Sequence, residues 1–162
     1  MPYTVKTEGM NEINAMLGKL EQGVNGIAAQ AVYEGAGIIA DELKSQAKGI
    51  RTAPFKYATH GRQRLPSPEE KAAILGAGGI ARFKNEGGAE VQTSVGYSNA
   101  GYADVAGRLK PIPLLVNAIN SGTSFMKKQP FVRKANSSGG KKATAAMKEM
   151  IEKSLESLAG ED

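Results

Sequence analysis

Asn120-Ser121-Gly122-Thr123-Ser124-Phe125-Met126-Lys127-Lys128-Gln129-Pro130-Phe131-Val132-Arg133-Lys134-Ala135 joins an apolar run to the last helix-forming segment of the chain. Leu114 to Ile119 leads into it as a near-continuous apolar run. Gly122 offers a turn, and Lys127 and Lys128 make the following loop basic. Pro130 suits the first turn of a helix, where the missing N–H has no partner to lose. The expected path is a strand end, a glycine turn and a proline-initiated helix whose first turn buries Phe131. A helical reading of 113–120 fits as well, because a short apolar run does not separate strand from helix.

Downstream, Asn136-Ser137-Ser138-Gly139-Gly140 weakens the helix begun at Pro130, and a cleaner helix follows from 141 to 158. There Ala143, Met147, Met150, Ile151, Ser154, Leu155 and Leu158 form one face. At the other end, residues 9–47 read as one long amphipathic helix or two joined at a kink. Met10, Ile13, Leu17, Leu20, Val24, Ile27, Ala31, Gly35 and Ile38 alternate three- and four-residue steps, which lines up one helical face. Gly18, Gly23, Gly26, Gly35 and Gly37 each cost about 1 kcal/mol relative to alanine. Such a helix must be held by packing, and its small residues let another backbone come close.

Between these ends, 48–66 is a long loop or arm rich in proline, glycine and basic residues. Ser67-Pro68-Glu69-Glu70 is a capping box: serine caps, proline takes the first helical position, and Glu70 lies three residues after the cap. The helix it starts, 67–77, stops in Gly76-Ala77-Gly78-Gly79, which lacks the spacing of a phosphate-binding loop. Ile80 to Lys84 and Ala89 to Tyr97 alternate with period two around Asn85-Glu86-Gly87-Gly88, a β-hairpin signal. Residues 98–110 are expected to be irregular, and a third strand completes a strand region over 80–121. The fold class is α+β: long N- and C-terminal helices, the latter over 130–158, packed on a small, mainly antiparallel sheet, with a long basic loop.

The length of 162 residues suits one domain, and 20 glycines point to loops or arms around a modest core. No apolar run is long enough to span a bilayer, and the first residues lack the apolar core of a signal peptide. With 0 cysteines there are no disulfides, thiolate metal sites or cysteine nucleophiles. The net charge of +5 is unevenly spread. Basic residues fill 44–64 and 105–148 without a single acid, while the end of the chain is acidic. Clustered cations suit nucleic acid or an acidic protein neighbour, and a solvated basic face explains them too. Phe55, Tyr57 and His60 interleave with Lys56, Arg62 and Arg64, a composition found in single-strand nucleic-acid binders. The lone His60 has no acid near it in sequence to support a catalytic triad, and the acids lack metal-ligand spacing. No cofactor is expected, and the chain is expected not to be an enzyme.

Within 120–135, the pattern Gly-Thr-Ser-x-Met, a short gap, then Gln-Pro-Phe-Val-Arg-x-Ala resembles the tail-completion, or head–tail joining, family of long-tailed bacteriophages, also described as minor tail components. Gly122, Thr123, Ser124, Met126, Pro130, Phe131, Arg133 and Ala135 match. Val132 stands for the family's leucine, Lys134 for its second proline, and Asn120-Ser121 for an acidic or aromatic pair. The long first helix ending Leu43-Lys44-Ser45-Gln46-Ala47-Lys48, the Ala53-Pro54 loop and the closing helix are similar in layout. The resemblance implies a structural virion protein of the neck or tail, made in the host cytoplasm, with neither membrane nor cofactor. It implies a ring, hexameric by analogy with the tail, between head connector or stopper, tail terminator and tail tube, with packaged DNA as a possible contact. The expected contact residues are Lys56, Arg62, Arg64, Phe125, Met126, Lys127, Lys128, Arg133 and Lys134. Gly122, Thr123, Pro130 and Phe131 are expected to fix the chain path. Two other readings compete: a nucleic-acid-binding protein using 44–64 and 127–142, and a small enzyme or toxin-like protein using His60.

Overall fold

Alternating three- and four-residue apolar spacing does produce long helices at both ends of this chain. The computed structural model describes residues 10–57, 59, 61–81, 84–85, 91–98 and 100–159. The elements run α1 (Met10–Lys48), α2 (Pro68–Ala77), β1 (Gly79–Ile80), β2 (Lys84–Asn85), β3 (Val91–Gln92), β4 (Val95–Gly96), β5 (Tyr102–Val105), β6 (Arg108–Pro111), α3 (Ile112–Ser121) and α4 (Phe131–Ala159). The architecture is α+β, with α1 and α4 as its N- and C-terminal helices.

The two long helices lie antiparallel and pack chiefly on each other. The glycines of α1 do not interrupt it, and close approaches at one glycine of α1 and one of α4 show what they are for. A Cβ at Gly35 would stand 2.7 Å from Sδ of Met147, and one at Gly139 would stand 3.2 Å from Cβ of Glu42. Small buried residues continue the contact at Ala31, Ala36, Ala135 and Ala143. Close packing thus replaces the propensity that these helices lack. It also explains why α4 runs unbroken through Asn136–Gly140, where the sequence suggests weakening: Gly139 is buried against α1, and Ser138 Oγ donates to Glu42 Oε1 at 2.7 Å.

The expected hairpin is present among the described residues as two short antiparallel ladders on one path. Gly79 and Ile80 pair with Gly96 and Val95, and Lys84 and Asn85 pair with Gln92 and Val91. The Ala81 N–H donates to Ser94 O at 2.8 Å, and Thr93 Oγ1 donates to Ala81 O at 2.7 Å, which bridges the two ladders. The expected turn residues 86–88 lie outside the described residues.

Two expectations for the following segment are corrected. Residues 102–111 are not irregular: β5 and β6 form an antiparallel hairpin with Tyr102 opposite Pro111 and Val105 opposite Arg108. Its two-residue turn has positive φ at both Ala106 (54°) and Gly107 (73°), the handedness that matches strand twist. An Ala-Gly pair is a weaker signal for that turn than Asn-Gly, and the hairpin is correspondingly hidden in the sequence. The second correction concerns 114–119, which is helix α3 and not a third strand. Ile112, Leu115, Val116 and Ile119 are buried while Leu114 and Asn117 face solvent, a helical repeat. Pro113 sits in the first helical turn, where it is tolerated. Among the described residues the sheet is therefore three two-stranded ladders beside the helix pair. The core gathers Leu43, Ala47 and Ile50 from α1 and its exit, Ile74 from α2, Val105 from β5, Ile112, Leu115 and Ile119 from α3, and Met126 and Phe131 from the segment 122–131.

The helix contact makes opposite predictions for two glycines only two residues apart. Gly35→Val should lower stability by about 1–3 kcal/mol through overpacking against Met147. Gly37 has open space around it, so Gly37→Ala should raise stability by up to about 1 kcal/mol. Urea denaturation followed by circular dichroism measures both.

Candidate docking surface

Ser67, Pro68 and Glu70 do form the expected capping box: the Ser67 side chain accepts from the Glu70 N–H at 3.2 Å, and Glu70 Oε2 accepts from the Ser67 N–H at 2.8 Å. The carboxylate of Glu70 has a further role. It is fully buried, and it also receives Arg64 through both terminal guanidinium nitrogens (2.6 and 2.7 Å) and Lys110 Nζ at 3.0 Å. Burial pushes its pKa up, but the hydrogen bonds from Arg64, Ser67 and Lys110 outweigh burial and hold it at about 2. One carboxylate therefore joins the 48–66 loop, α2 and β6.

The ring of Phe55 completes this knot. Arg64 and Lys110 each stand 5.1 Å from its centroid, and Tyr57 packs edge-on against it at 5.2 Å. Arg108 in turn lies over the ring of Tyr57 at 5.5 Å. The long basic loop is thus folded back on the body by cation–π and ionic contacts.

The same loop clamps the stretch 122–130. The Arg64 N–H donates to Phe125 O at 2.8 Å and the Lys127 N–H donates to Arg64 O at 2.9 Å, an isolated parallel bridge between Arg64 and Met126. Gln63 Nε2 donates to Thr123 O at 2.6 Å. Gln129 exchanges two bonds with the backbone of Arg51, accepting at 2.8 Å and donating at 3.0 Å. Within the stretch, Thr123 Oγ1 accepts from the Met126 N–H at 2.9 Å and the Thr123 N–H donates to Met126 O at 3.0 Å, closing a tight loop with Met126 buried beneath it.

Gly122 follows the last turn of α3 with φ 79° and ψ 158°, a combination that only glycine adopts readily. Its N–H donates to Ala118 O at 3.0 Å, and an added Cβ would stand 2.9 Å from Cβ of Lys128. The chain therefore leaves a helix at this point, not a strand as expected. Pro130 precedes α4, and Phe131 is buried, 3% exposed, in its first turn with its ring 6.2 Å from that of Tyr97. Asn120 reaches across from α3 so that its Oδ1 accepts from the Val132 N–H at 3.1 Å, a remote cap for the first turn of α4.

The expected contact residues divide accordingly. Lys56, Arg62, Phe125 (47% exposed), Lys127, Lys128, Arg133 and Lys134 are exposed on or beside the clamped loops. Arg64 and Met126 are not available in the same way: the first is committed to Glu70, and the second is 1% exposed. His60 lies outside the described residues. Sequence reasoning did not find the coupling of Glu70 to Lys110, the cap by Asn120 or the clamp by Gln129. The capping box did mark Glu70, but an ion pair across 40 residues leaves no local trace. Among the described residues no three His, Cys, Asp or Glu side chains are grouped to hold a metal ion, and no helix is long and apolar enough to cross a membrane. The chain matches no family model, no curated protein and no solved structure.

Replacing Glu70 by glutamine should cost about 3–5 kcal/mol, because it leaves two cations around a buried neutral group. Acid should act on the same knot. The folded pKa of Glu70 lies below its ordinary 4.5, so its stabilisation is full above that value and is lost as pH falls toward about 2. Glu42, held at about 2 by Gln46, Ser138 and Lys142, titrates in the same window. Glu149 is also lowered, by its bond from Lys153, so comparing denaturant midpoints from pH 6 to pH 2 in a Glu42→Gln, Glu149→Gln background, with and without Glu70→Gln, should expose the effect of Glu70. Gly122→Ala should cost about 1–3 kcal/mol through the strained backbone, and its melting temperature should fall accordingly.

Proposed function

We propose that this chain is a structural virion protein of a phage neck or tail, completing the tail at the head–tail interface as an oligomeric ring. What carries this reading is the folding of the family-like stretch into a rigid, outward-facing tip. Residues 122–130 are pinned from beneath by Gln63, Arg64 and the Arg51 backbone, while Phe125, Lys127 and Lys128 face solvent. An exposed aromatic ring on a hydrogen-bonded loop suits a protein contact, where aromatic side chains are enriched, and the neighbouring lysines suit an acidic partner surface.

Exposed apolar side chains support an assembly role. Large apolar side chains stay open on several elements, among them Tyr102 on β5, Leu109 on β6, Leu114 on α3, and Ile151, Leu155 and Leu158 on α4. A ring, hexameric by analogy with the tail, gives such surfaces neighbours through heterologous contacts that close. Its partners are further copies of the chain and adjoining neck proteins: the head connector or stopper, the tail terminator and the tail tube. Its location is then the virion, after assembly in the bacterial cytoplasm.

A second reading, binding of nucleic acid, keeps one specific observation: Tyr57, 65% exposed, stands beside exposed Lys56 with Arg62 further along the same loop. It loses Arg64 and Phe55, which are engaged within the fold.

Native mass spectrometry and electron microscopy, with dilution from micromolar concentrations, should show closed rings. Combining Phe125→Ala with Lys127→Glu should shift their formation to about tenfold higher concentration or more. A strict monomer, even with tail-terminator or head-connector proteins added, counts against the proposal. If DNA affinity falls steeply with salt and drops in the Lys56→Ala, Arg62→Ala pair, the second reading gains what the first loses.

A further inference from the structure

Where α1 ends and α4 begins, a cleft of about 340 Å³ is lined by Gln46, Gly49, Ile50, Arg51, Lys128, Gln129, Pro130, Phe131 and Lys134. Three of these carry positive charge and none is acidic. They come from three separate stretches of backbone: the exit of α1, the clamped loop and the first turn of α4. The reciprocal bonds between Gln129 and the Arg51 backbone fix two of those stretches relative to each other.

The surrounding charges do not neutralise these cations. Among the described residues, every ion pair involves Glu42, Glu70, Glu149 or Glu152, and none reaches Arg51, Lys128 or Lys134. Glu42, one turn before Gln46, is engaged by Gln46, Ser138 and Lys142. The carbonyl oxygens of Lys48 and Ile50, where α1 ends, accept from Lys71 Nζ at 2.6 and 3.0 Å. The first amides of α4 are likewise spent, with Phe131 N–H on Gln129 O and Val132 N–H on Asn120. The cleft's field is therefore set by side-chain cations, which repel one another until an anion enters.

We propose that this cleft binds a phosphate group through Arg51, Lys128 and Lys134. Arg51 supplies a planar fork suited to two phosphate oxygens, and the lysines supply point charges with rotatable donors. The phosphate comes either from a free phosphate compound or from a nucleic-acid backbone, and both present the same oxyanion. The site is distinct from the exposed tip at Phe125 and Lys127, and it does not depend on ring formation.

The full chain is titrated with inorganic phosphate, pyrophosphate and a fluorescent single-stranded DNA oligonucleotide, with chloride at matched ionic strength as the control. Backbone amide shifts in two-dimensional NMR locate the response. Saturable shifts are expected at Gly49, Arg51, Lys128 and Gln129, with the Lys128→Ala, Lys134→Ala double variant binding roughly tenfold more weakly or worse. These side chains are exposed, so the variant should retain the parent circular dichroism spectrum, and Arg51→Ala gives an independent check. A free phosphate compound is the source if phosphate and pyrophosphate shifts are lost in the variants while DNA binding is unchanged. A nucleic-acid source shows instead as weaker DNA binding in the variants, with the log–log salt slope reduced by about 1. Shifts that chloride reproduces, or binding of all three probes that the variants leave intact, would overturn the proposal.

Discussion

A single buried carboxylate holds together parts of the chain that have little else in common. Glu70 caps α2 through Ser67, anchors the basic loop through Arg64 and reaches β6 through Lys110. Removing a charge from water is costly, and only several donors in good geometry offset that cost. Here four donor nitrogens converge on two oxygens. Because these donors come from the basic loop, the start of α2 and β6, satisfying Glu70 also sets where those segments lie. The loop thereby becomes a fixed strap across the end of the molecule, and the stretch 122–130 folds against it.

The helix pair provides the other constraint. Gly35 and Gly139 let α1 and α4 approach closely enough for side chains such as Met147 to fill the space that a larger residue would occupy. Propensity is given up along each helix and recovered between them. The start of α4 is thus carried to the end of α1, where Arg51, Lys128 and Lys134 meet. Basic segments that look independent along the chain are, in three dimensions, two sides of one clamped region. Their cations then differ in role according to their partners: Arg64 is structural, whereas Lys127, Lys128 and Lys134 remain open to solvent.

Local chemistry was enough to read several features. The cap at Ser67 and the proline at position 68 are fixed by neighbours within three residues, so the start of α2 was legible. Periodicity over many turns made α1 and the end of α4 legible, and the alternation around 80–97 made the first hairpin so. The buried Phe131 after Pro130 was read for the same reason. Where signals were short or atypical, the sequence was silent or misleading. The Ala106-Gly107 turn hid a hairpin, and the five apolar residues within 114–119 fitted a strand as well as a helix. The glycines of α4 suggested a break that burial against α1 prevents.

The sequence by itself thus determined the α+β class, the two long terminal helices, the capped start of α2 and the two basic stretches without acids. Only the tertiary structure decided which cations are spent within the fold and which remain for a partner. It also decided that Glu70 is a hub, that Asn120 caps a helix it does not belong to, and that Arg51 shares a cleft with Lys134. The physical reason is range. Capping and periodicity act within a few residues, where sequence order is spatial order. Ion pairing and cleft formation depend on segments that meet only after α1 and α4 have packed.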